Sequence, residues 1–479
     1  MKKLETLLDK GVLNRVVFKV ILLVAVMITA VPYLHERVGG YVKFVLFYGL
    51  IIIACEFLTK RYMNVVKDKM SIFLILFGIS YFVTVIINRD LNFGSNFKAF
   101  IYMMVFFVLL YMVPKKKMTK DLVKEIELVS AVVVVGTFVL SLACFLTFVF
   151  SISGEYRIES GLTYYGMYDH RLWGVYNANT GSTLNCISII LSASFLSKPR
   201  KKIYRNFIIG NIVLQYICLL LTGSRAALYM LFLLMILVAV VVCIRKYAEY
   251  RRTKKLRLVL ICLIVSGFIS GAFFATNYVV KEIVSYVPGV VKVIGNIFIG
   301  DGSQSNEVEK YDLERLEEVE NREGGFFTGR TDLWKASLKA FEESPIFGIT
   351  RENLFNKAEK YLENDLWAKN LKVGGTHNIY ICILVSSGIV GFVLMAIFAT
   401  YTIFKGLLTI IRNIDVIDPW FLTTFLLIIM FFVTEFVEAR ILYRVGIFNV
   451  LFWLYCGYLA NFLKNEKEEI VHEPIKETI

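Results

Sequence analysis

The chain has 479 residues, of which 57% are hydrophobic and 19% are charged. This composition is too apolar for a soluble globular protein, and apolar runs of about 18–22 residues alternate with short basic loops. The net charge of +14 is concentrated in those loops, which argues against a nucleic-acid-binding protein and indicates a polytopic membrane protein.

The apolar runs predict an all-α polytopic membrane protein with about 12 transmembrane helices. Nine of them fall within residues 1–276 and three within residues 378–464, and a short charged tail covers residues 465–479. The first run is predicted to be a span and not a cleaved signal peptide, because no small-residue cleavage site follows it. The predicted spans are 16–34, 38–58, 70–88, 97–113, 129–152, 174–196, 204–222, 225–244, 257–276, 378–404, 417–436 and 444–463.

Lysine and arginine are concentrated in alternate loops between the predicted spans. These loops are residues 59–69, 114–127, 197–206 and 245–257. Because basic loops stay on the cytoplasmic side, both termini are predicted to be cytoplasmic, an N-in/C-in topology. The polar region at residues 277–377 then forms one large extracytoplasmic loop, which we predict to contain short amphipathic helices. The opposite-side loops also include residues 153–173.

Cysteine and histidine usage indicates no metal site. All eight cysteines lie in or at the ends of apolar runs, and no Cys-x-x-Cys spacing occurs. Neither a second histidine nor an acidic cluster stands at metal-ligand spacing from His377. We therefore expect no disulfide framework and no metal, and the sequence suggests no cofactor.

The first polar motif is a very tight connection between two predicted spans. Gly223 and Ser224 allow the chain to reverse, and Arg225 emerges at the outer face. An arginine on the outer side runs against the positive-inside trend. It either extends to lipid headgroups or, with Ser224, holds a phosphate through a bidentate guanidinium contact.

The second motif, Thr328, Gly329 and Arg330, opens an amphipathic stretch within the large loop. A helix is predicted from Thr331 to the Ser-Pro pair at residues 344–345. Its apolar face is predicted to consist of Trp334, Leu338 and Phe341, which recur at helical spacing and pack on the spans or lie in the membrane interface. Arg330, just before the helix, is placed to point at a ligand phosphate.

The third motif lies where the loop re-enters the membrane, at Gly374, Gly375, Thr376, His377 and Asn378. A lone histidine is most often a solvated or hydrogen-bonded residue without a catalytic role. At the membrane boundary, however, its near-neutral titration suits it to act as a general base on a hydroxyl. His377 is therefore a candidate catalytic residue, with Asn378 as a candidate substrate-binding neighbour.

Two weaker sets complete the candidates. Asn179 at the outer end of a span either hydrogen-bonds a sugar or diphosphate, or only caps its helix. Glu435, Glu438, Arg440 and Arg444 stand at the last outer turn. They form either an ion-paired helix connection or a second tier of the site.

In this order, the motifs resemble those of the O-antigen ligase and Wzy-type polysaccharide polymerase superfamily. The family's Gly-Ser-Arg turn corresponds to residues 223–225, its Gly-Arg, Trp and Ser-Pro loop to residues 329–348, and its His-Asn pair to residues 377–378. Residues 387–391 match the continuation into the next span. Ala178 stands where the family usually has proline, and Thr350 replaces the family's second glycine after Ser-Pro. The resemblance covers roughly residues 170–400.

The resemblance implies a GT-C-like glycosyltransferase in the bacterial cytoplasmic membrane, with its active site on the extracytoplasmic face. The donor would be an oligosaccharide linked to polyprenyl diphosphate, such as undecaprenyl diphosphate, and the acceptor a glycan or lipid-linked glycan. By the family's residue roles, Arg225 and Arg330 would neutralise the donor diphosphate, and His377 would deprotonate the acceptor hydroxyl. Polysaccharide assembly proteins would be further partners.

Several functions remain open at this point. A polymerase of capsular or exopolysaccharide repeats and an O-antigen ligase that acts on lipid A core share the donor; the Lys- and Ile-rich composition favours the polymerase. A lipid-linked glycan flippase would need charged residues inside the membrane, and these are scarce in the middle of the spans. A peptidoglycan polymerase of the SEDS type would be expected to use a loop carboxylate in place of His377. The acidic segment 306–323 receives no chemistry.

Overall fold

The computed structural model describes residues 2–61, 69–112, 118–158, 161–247, 254–299, 308–313, 330–362, 371–372 and 375–465. The predicted residues Thr328, Gly329 and Gly374, the tail after residue 465, and the acidic segment except residues 308–313 lie outside this part of the chain.

Helices account for most of the described chain, as predicted. They are α1 (Lys2–Lys10), α2 (Arg15–Ile28), α3 (Pro32–Val38), α4 (Tyr41–Leu58), α5 (Lys69–Ile87), α6 (Phe93–Val105), α7 (Thr119–Val149), α8 (Ala178–Leu196), α9 (Lys202–Leu221), α10 (Arg225–Lys246), α11 (Lys255–Ser285), α12 (Val287–Ile299), α13 (Arg330–Phe341), α14 (Leu354–Ala358), α15 (Ile379–Arg412), α16 (Pro419–Thr434) and α17 (Ile447–Asn465). A π-helical segment (Phe106–Tyr111) continues α6, and a 3₁₀ turn (Glu359–Tyr361) continues α14.

The polytopic membrane class is confirmed, but the predicted count of 12 spans is not. Within the described residues, nine helices are long and apolar enough to cross a membrane, or ten if the bent pair α1 and α2 counts as one span. Two predicted spans fall short for physical reasons. The span at 417–436 is α16, with only 16 residues, whereas about 20 are needed. The span at 174–196 is α8, which carries buried serine, threonine and asparagine residues.

The chain divides into two compact units. The first comprises residues 1–29, 37–129 and 321–479, and the second comprises residues 30–36 and 130–320. The boundary at residue 130 falls within α7. Helix α11 continues past residue 276, the predicted end of the ninth span, to Ser285.

In the first unit, α17 is the most buried of the candidate spans in the described part of the chain. Of the residues in its apolar stretch, Ile447–Lys464, 94% are buried. Its Trp453 packs edge-on against Phe107 of the π-helical segment, with ring centroids 4.5 Å apart. The same ring lies 5.8 Å from that of Phe398 on α15. Large interlocking aromatic side chains of this kind hold helices in one arrangement where lipid provides no hydrophobic drive.

A break in α15 ties the polar loop to this helical frame. Gly388 has a left-handed φ of +67° inside α15, so the helix interrupts its own hydrogen-bond ladder there. The freed groups pair with the segment after α13: Ile349 N–H donates to Val385 C=O at 3.0 Å, and Val390 N–H donates to Ile346 C=O at 3.2 Å. The loop segment is thereby held by backbone bonds at the membrane-spanning helix.

The second unit is held by a polar network between α7, α8 and α9. Asn211 Nδ2 donates to Ser188 Oγ at 3.1 Å, and Gln215 Nε2 donates to Asn211 Oδ1 at 3.0 Å. Ser141 Oγ donates to Gln215 Oε1 at 2.9 Å. Because each of these groups is buried, mutual hydrogen bonding removes the cost of placing polar side chains in an apolar interior.

The second unit also contains a small sheet that the all-α prediction missed. Strands β1 (Gly154–Ile158), β2 (Gly161–Tyr168) and β3 (Arg171–Gly174) form an antiparallel sheet in the order β1-β2-β3. The sheet occupies most of the described part of residues 153–173, which the sequence predicts as a loop between spans. Tyrosines and β-branched residues in short runs between glycines favour strands here, a pattern that the search for long apolar runs does not detect.

Candidate active site

The turn that carries His377 is shaped by the start of α15. Asn378 is the N-cap: its side-chain oxygen accepts from Tyr380 N–H at 3.0 Å and Ile381 N–H at 3.1 Å. Thr376 Oγ1 donates to the Asn378 carbonyl at 2.8 Å. His377 itself has a left-handed φ of +48°, an uncommon conformation for a residue with a side chain. The backbone therefore holds the imidazole in one direction, and Asn378, predicted to bind substrate, has a capping role.

Glu438 brings His377 and Arg330 together within the first unit. Its Oε2 lies 3.5 Å from His377 Nδ1, and its Oε1 lies 3.9 Å from Arg330 Nη2. The His377 side chain is 28% exposed, but its Nδ1 is buried. The exposed part of the imidazole is therefore the rest of the ring, on the side away from Glu438.

The charge of Glu438 is strongly stabilised. Burial by itself would raise its pKa, but the positive charge of Arg440, the contact with His377 and the charge of Arg330 together lower the pKa to about 2. Opposite charges at this range favour the ionised carboxylate. Glu438 is thus a permanent negative charge between a guanidinium and an imidazole.

Arg440 connects Glu438 to a second carboxylate. Its Nε donates to Glu435 Oε1 at 3.2 Å and its backbone N–H donates to Glu435 Oε2 at 2.6 Å. The guanidinium also lies over the Phe448 ring at 4.1 Å. Burial raises the pKa of Glu435 although Arg440 lowers it. Within this set, Arg440 and Glu435 form an ion pair and Glu438 contacts the candidate catalytic residues, so both interpretations made from the sequence stay open.

Arg330 is the first residue of α13, and burial lowers the pKa of its guanidinium, against the influence of Glu438. The helix is fixed to the turn of His377 by Trp334, whose Nε1 donates to Thr376 C=O at 2.9 Å. Its apolar contacts are made by a cluster that includes Leu333, Ala336 and Ala340.

The predicted apolar face of α13 was partly wrong. Trp334 and Phe341 pack against the cluster, but Leu338 is 40% exposed. The spacing of the large side chains predicted a buried face at positions 334, 338 and 341. The fold instead buries the neighbouring positions 333, 336 and 340, two of which are alanines. Small residues give close backbone approach, a criterion that hydrophobicity alone does not weigh.

In the second unit, Arg225 begins α10 after a turn in which Gly223 has a φ of +61°. Ser224 occupies the N-cap position but makes no side-chain capping bond. Asn179 accepts from Arg171 Nη2 at 2.8 Å, and Arg171 Nε donates to Thr222 C=O at 2.8 Å. Asn177, not Asn179, caps α8. The roles of Arg225, Ser224 and Asn179 toward substrate remain predictions.

Two arginines near these motifs were missed by the sequence reasoning. Arg171 holds the turn before Arg225, and Arg351 is buried beside the turn of His377, against Gly375. Arg351 directly follows Thr350, the position at which the chain departs from the family's glycine. That departure was a signal available in the sequence. Arg171 carried no such signal, because its partners come from separate helices.

Within the described part of the chain, no three His, Cys, Asp or Glu side chains are grouped so that they could hold a metal ion. Metal independence therefore stays a prediction.

An apolar cavity of about 240 Å³ begins immediately after the turn of His377. It is lined by α15, α16 and α17 residues that include Ile379, Tyr380, Ala399, Phe432 and Phe452.

A comparison with known protein families agrees with the motifs. Residues 210–396 match the family model Wzy_C, described as O-antigen ligase. This span contains Arg225, Arg330 and His377. No curated protein matches the chain. Residues 210–396 are thus similar to the O-antigen ligase family, which supports the resemblance drawn from the motifs.

Proposed function

We propose that this protein is a membrane glycosyltransferase that transfers a polyprenyl-diphosphate-linked glycan to an acceptor hydroxyl. The reaction takes place on the outer side of the bacterial cytoplasmic membrane and polymerises capsular or exopolysaccharide repeat units. The observation that carries the proposal is the contact of Glu438 with both His377 and Arg330, which gives a general base and a cation a shared, fixed partner.

The geometry supports a definite role for each group. Glu438 faces Nδ1 of His377 and favours the tautomer that carries the proton there. The opposite ring nitrogen, Nε2, is then the base that accepts the acceptor's hydroxyl proton. A bond forms between the acceptor oxygen and the anomeric carbon, while the bond from that carbon to the donor phosphate breaks. Arg330 stabilises the negative charge of the departing diphosphate.

Two further features support a lipid-linked donor. The apolar cavity beside the turn offers a place for part of an isoprenoid chain next to a charged headgroup. Arg225 lies within the matched span, and its motif predicts a second guanidinium for the diphosphate. Its contribution is tested by its own variant.

The test uses membranes supplied with the lipid-linked repeat unit and follows chain lengthening by gel. Arg225→Ala, Arg330→Ala and His377→Ala are each expected to reduce transfer by roughly 10²-fold or more, since general-base and electrostatic catalysis supply at least that factor. The matched controls are His35→Ala and Arg157→Ala, whose side chains are exposed; they are expected to retain activity. Undiminished lengthening in all three site variants would refute the mechanism.

The ligase remains the alternative within the same chemistry. Offering lipid A core or a second lipid-linked unit as acceptor separates the two reactions. Transfer only to lipid A core would replace the polymerase proposal by the ligase.

A further inference from the structure

Arg351 is a buried cation beside the catalytic turn. The residue is 4% exposed, and its backbone N–H donates to the Tyr81 hydroxyl at 3.4 Å. Its Nη2 rests against Gly375, where an added Cβ would lie only 2.5 Å away. Gly375 also has a φ of +77°, a conformation that favours glycine, so the turn carrying His377 brings its backbone close to this guanidinium.

Nη2 of Arg351 has no hydrogen-bond acceptor among the described residues. A buried charged donor without an acceptor is costly, and buried polar groups in proteins nearly always have partners. The guanidinium is thus positioned but incompletely satisfied by this part of the protein.

A second arginine lies within electrostatic range of the first. Arg444 is exposed, and the positive charge of Arg351, followed by desolvation, lowers its pKa to about 10, although Glu352 acts in the opposite direction. The two residues are also linked by geometry. The Tyr81 hydroxyl that accepts from Arg351 N–H belongs to a ring whose centroid lies 5.0 Å from that of Tyr443, the residue before Arg444. The pair therefore combines a buried arginine with one on an exposed residue.

The backbone around Arg444 is fixed. Its N–H donates to Leu442 C=O at 2.9 Å, and its C=O accepts from Asn449 Nδ2 at 2.5 Å. The preceding residue, Tyr443, shares a short hydroxyl–hydroxyl bond of 2.5 Å with Ser387. Like charges held close by a rigid frame repel each other, and an anion between them removes that repulsion.

We propose that Arg351 and Arg444 form a subsite for an oxyanion, a carboxylate or phosphate group, carried by the glycan substrate. The planar fork of a guanidinium matches either group through paired hydrogen bonds. Because Arg351 packs against the turn of His377, an anion held here lies beside the reacting hydroxyl. This position favours an acidic sugar over a lipid headgroup. The identification of the ligand as a glycan rests on the proposed function.

The test is direct binding to the full-length chain in phosphatidylcholine nanodiscs, measured by isothermal titration calorimetry. The probes are glucuronate and inorganic phosphate, with neutral glucose for comparison. We expect the two anions to bind and glucose not to bind. Arg351→Gln and Arg444→Gln are each expected to weaken anion binding by about tenfold to a hundredfold, the factor of one charged hydrogen bond.

Two control variants isolate the subsite. Arg157→Gln, on an exposed position of β1, is expected to bind the anions as the wild type does. Arg330→Gln is expected to lose glycan transfer but retain glucuronate binding, so that failure of the subsite and failure of the proposed reaction are read separately.

Unchanged glucuronate affinity in Arg444→Gln would overturn the proposal, and the thermal unfolding midpoint of this variant, compared with that of the wild type, checks that it is folded. Arginine-dependent binding of phosphatidylglycerol without any binding of glucuronate would also overturn it, because the ligand would then be a lipid headgroup. Loss of glucuronate binding in Arg444→Gln, with the Arg157→Gln control intact, would support it.

Discussion

Glu438 contributes to the candidate site through position as well as charge. His377 occupies a left-handed backbone conformation, which costs free energy and persists only where neighbouring contacts enforce it. The capping bonds of Asn378 and the carboxylate of Glu438 supply such contacts on either side of the residue. The imidazole is therefore oriented before substrate arrives, as efficient proton transfer requires.

At the residue scale, we predict that Glu438→Gln lowers kcat by roughly 10²- to 10⁴-fold, the range supplied by general-base catalysis. The glutamine keeps the size of the side chain but removes the negative charge beside the imidazole. Without that charge the imidazole loses the carboxylate that orients it, so the loss is expected in kcat and not in KM. Steady-state kinetics measures the two constants separately.

The control for this variant is Glu359→Gln, at an exposed position. A raised KM with an unchanged kcat would contradict this role of Glu438.

Stability gives a second readout. Because the folded-state pKa of Glu438 is about 2, below the ordinary value of 4.5, its contribution is present above about pH 4.5 and is lost as the pH falls toward 2. Glu438→Gln should lack this component of acid destabilisation.

At the scale of elements, the junction between the loop and α15 depends on two facing glycines. Gly348 has a φ of +80°, and an added Cβ there would lie 2.5 Å from Gly388 N and 2.6 Å from Ser386 C. Gly388 faces the same close approach from Ile346. The backbone of the segment between α13 and Arg351 therefore lies closer to the backbone of α15 than a Cβ at position 348 or 388 would allow.

We predict that Gly348→Ala destabilises the protein by at least about 1–3 kcal/mol, the cost of one strained backbone position. The contact with the α15 backbone adds to this figure, because neither chain segment is a flexible side chain that can move away. Thermal unfolding in detergent measures the loss. Gly210→Ala is the matched control, since nothing lies within 4 Å of its added Cβ, and it is expected to be neutral or stabilising. Equal stability of Gly348→Ala and the wild type would contradict the role of this junction.

At the scale of the whole molecule, two ion pairs attach α2 to the rest of the first unit. Arg15 pairs with Glu56 of α4 through two contacts of 2.7 Å. One helical turn later, Lys19 pairs with Glu125 of α7 at 2.7 Å, and Tyr458 of α17 donates to the same carboxylate at 3.2 Å. These charges lie toward the ends of the predicted spans. They fix how four helices meet, where apolar side chains alone would permit sliding.

We predict that Glu125→Ala destabilises the first unit by about 3–5 kcal/mol, because it leaves the Lys19 charge in a buried site without its carboxylate. The double variant Lys19→Met with Glu125→Met should recover most of this loss, since both charges are then removed. Unfolding midpoints of the three proteins measure the effect.

The matched control is Asp121→Ala, which removes an exposed i,i+3 partner of Lys124 on the same helix; exposed pairs contribute about 1 kcal/mol or less. If Glu125→Ala were no more destabilising than Asp121→Ala, the pair would not hold the helices. Failure of the double variant to recover would show that the carboxylate acts through other contacts, such as that of Tyr458.

The sequence alone determined those features that arise from local chain properties. The length and apolarity of the runs determined the membrane class and most helices, because the bilayer sets one scale for every span. Prediction from apolar length fails at α8, which buries polar side chains, and at α16, which has only 16 residues. The motifs around Arg225, Arg330 and His377 could be singled out because unusual residues stand at loop–helix junctions, where backbone requirements restrict the choice.

Only the tertiary structure decided which of these residues meet. Glu438, far along the chain from Arg330, lies between that residue and His377 because α16 and α17 bring their connection to the start of α15. The proximity of Arg351 and Arg444 also emerged only from the structure. The burial of Arg351 and the repulsion between the two charges cannot be predicted from their spacing in the sequence. The physical reason is that charge coupling depends on distance and desolvation in space, whereas the sequence pattern records only separation along the chain.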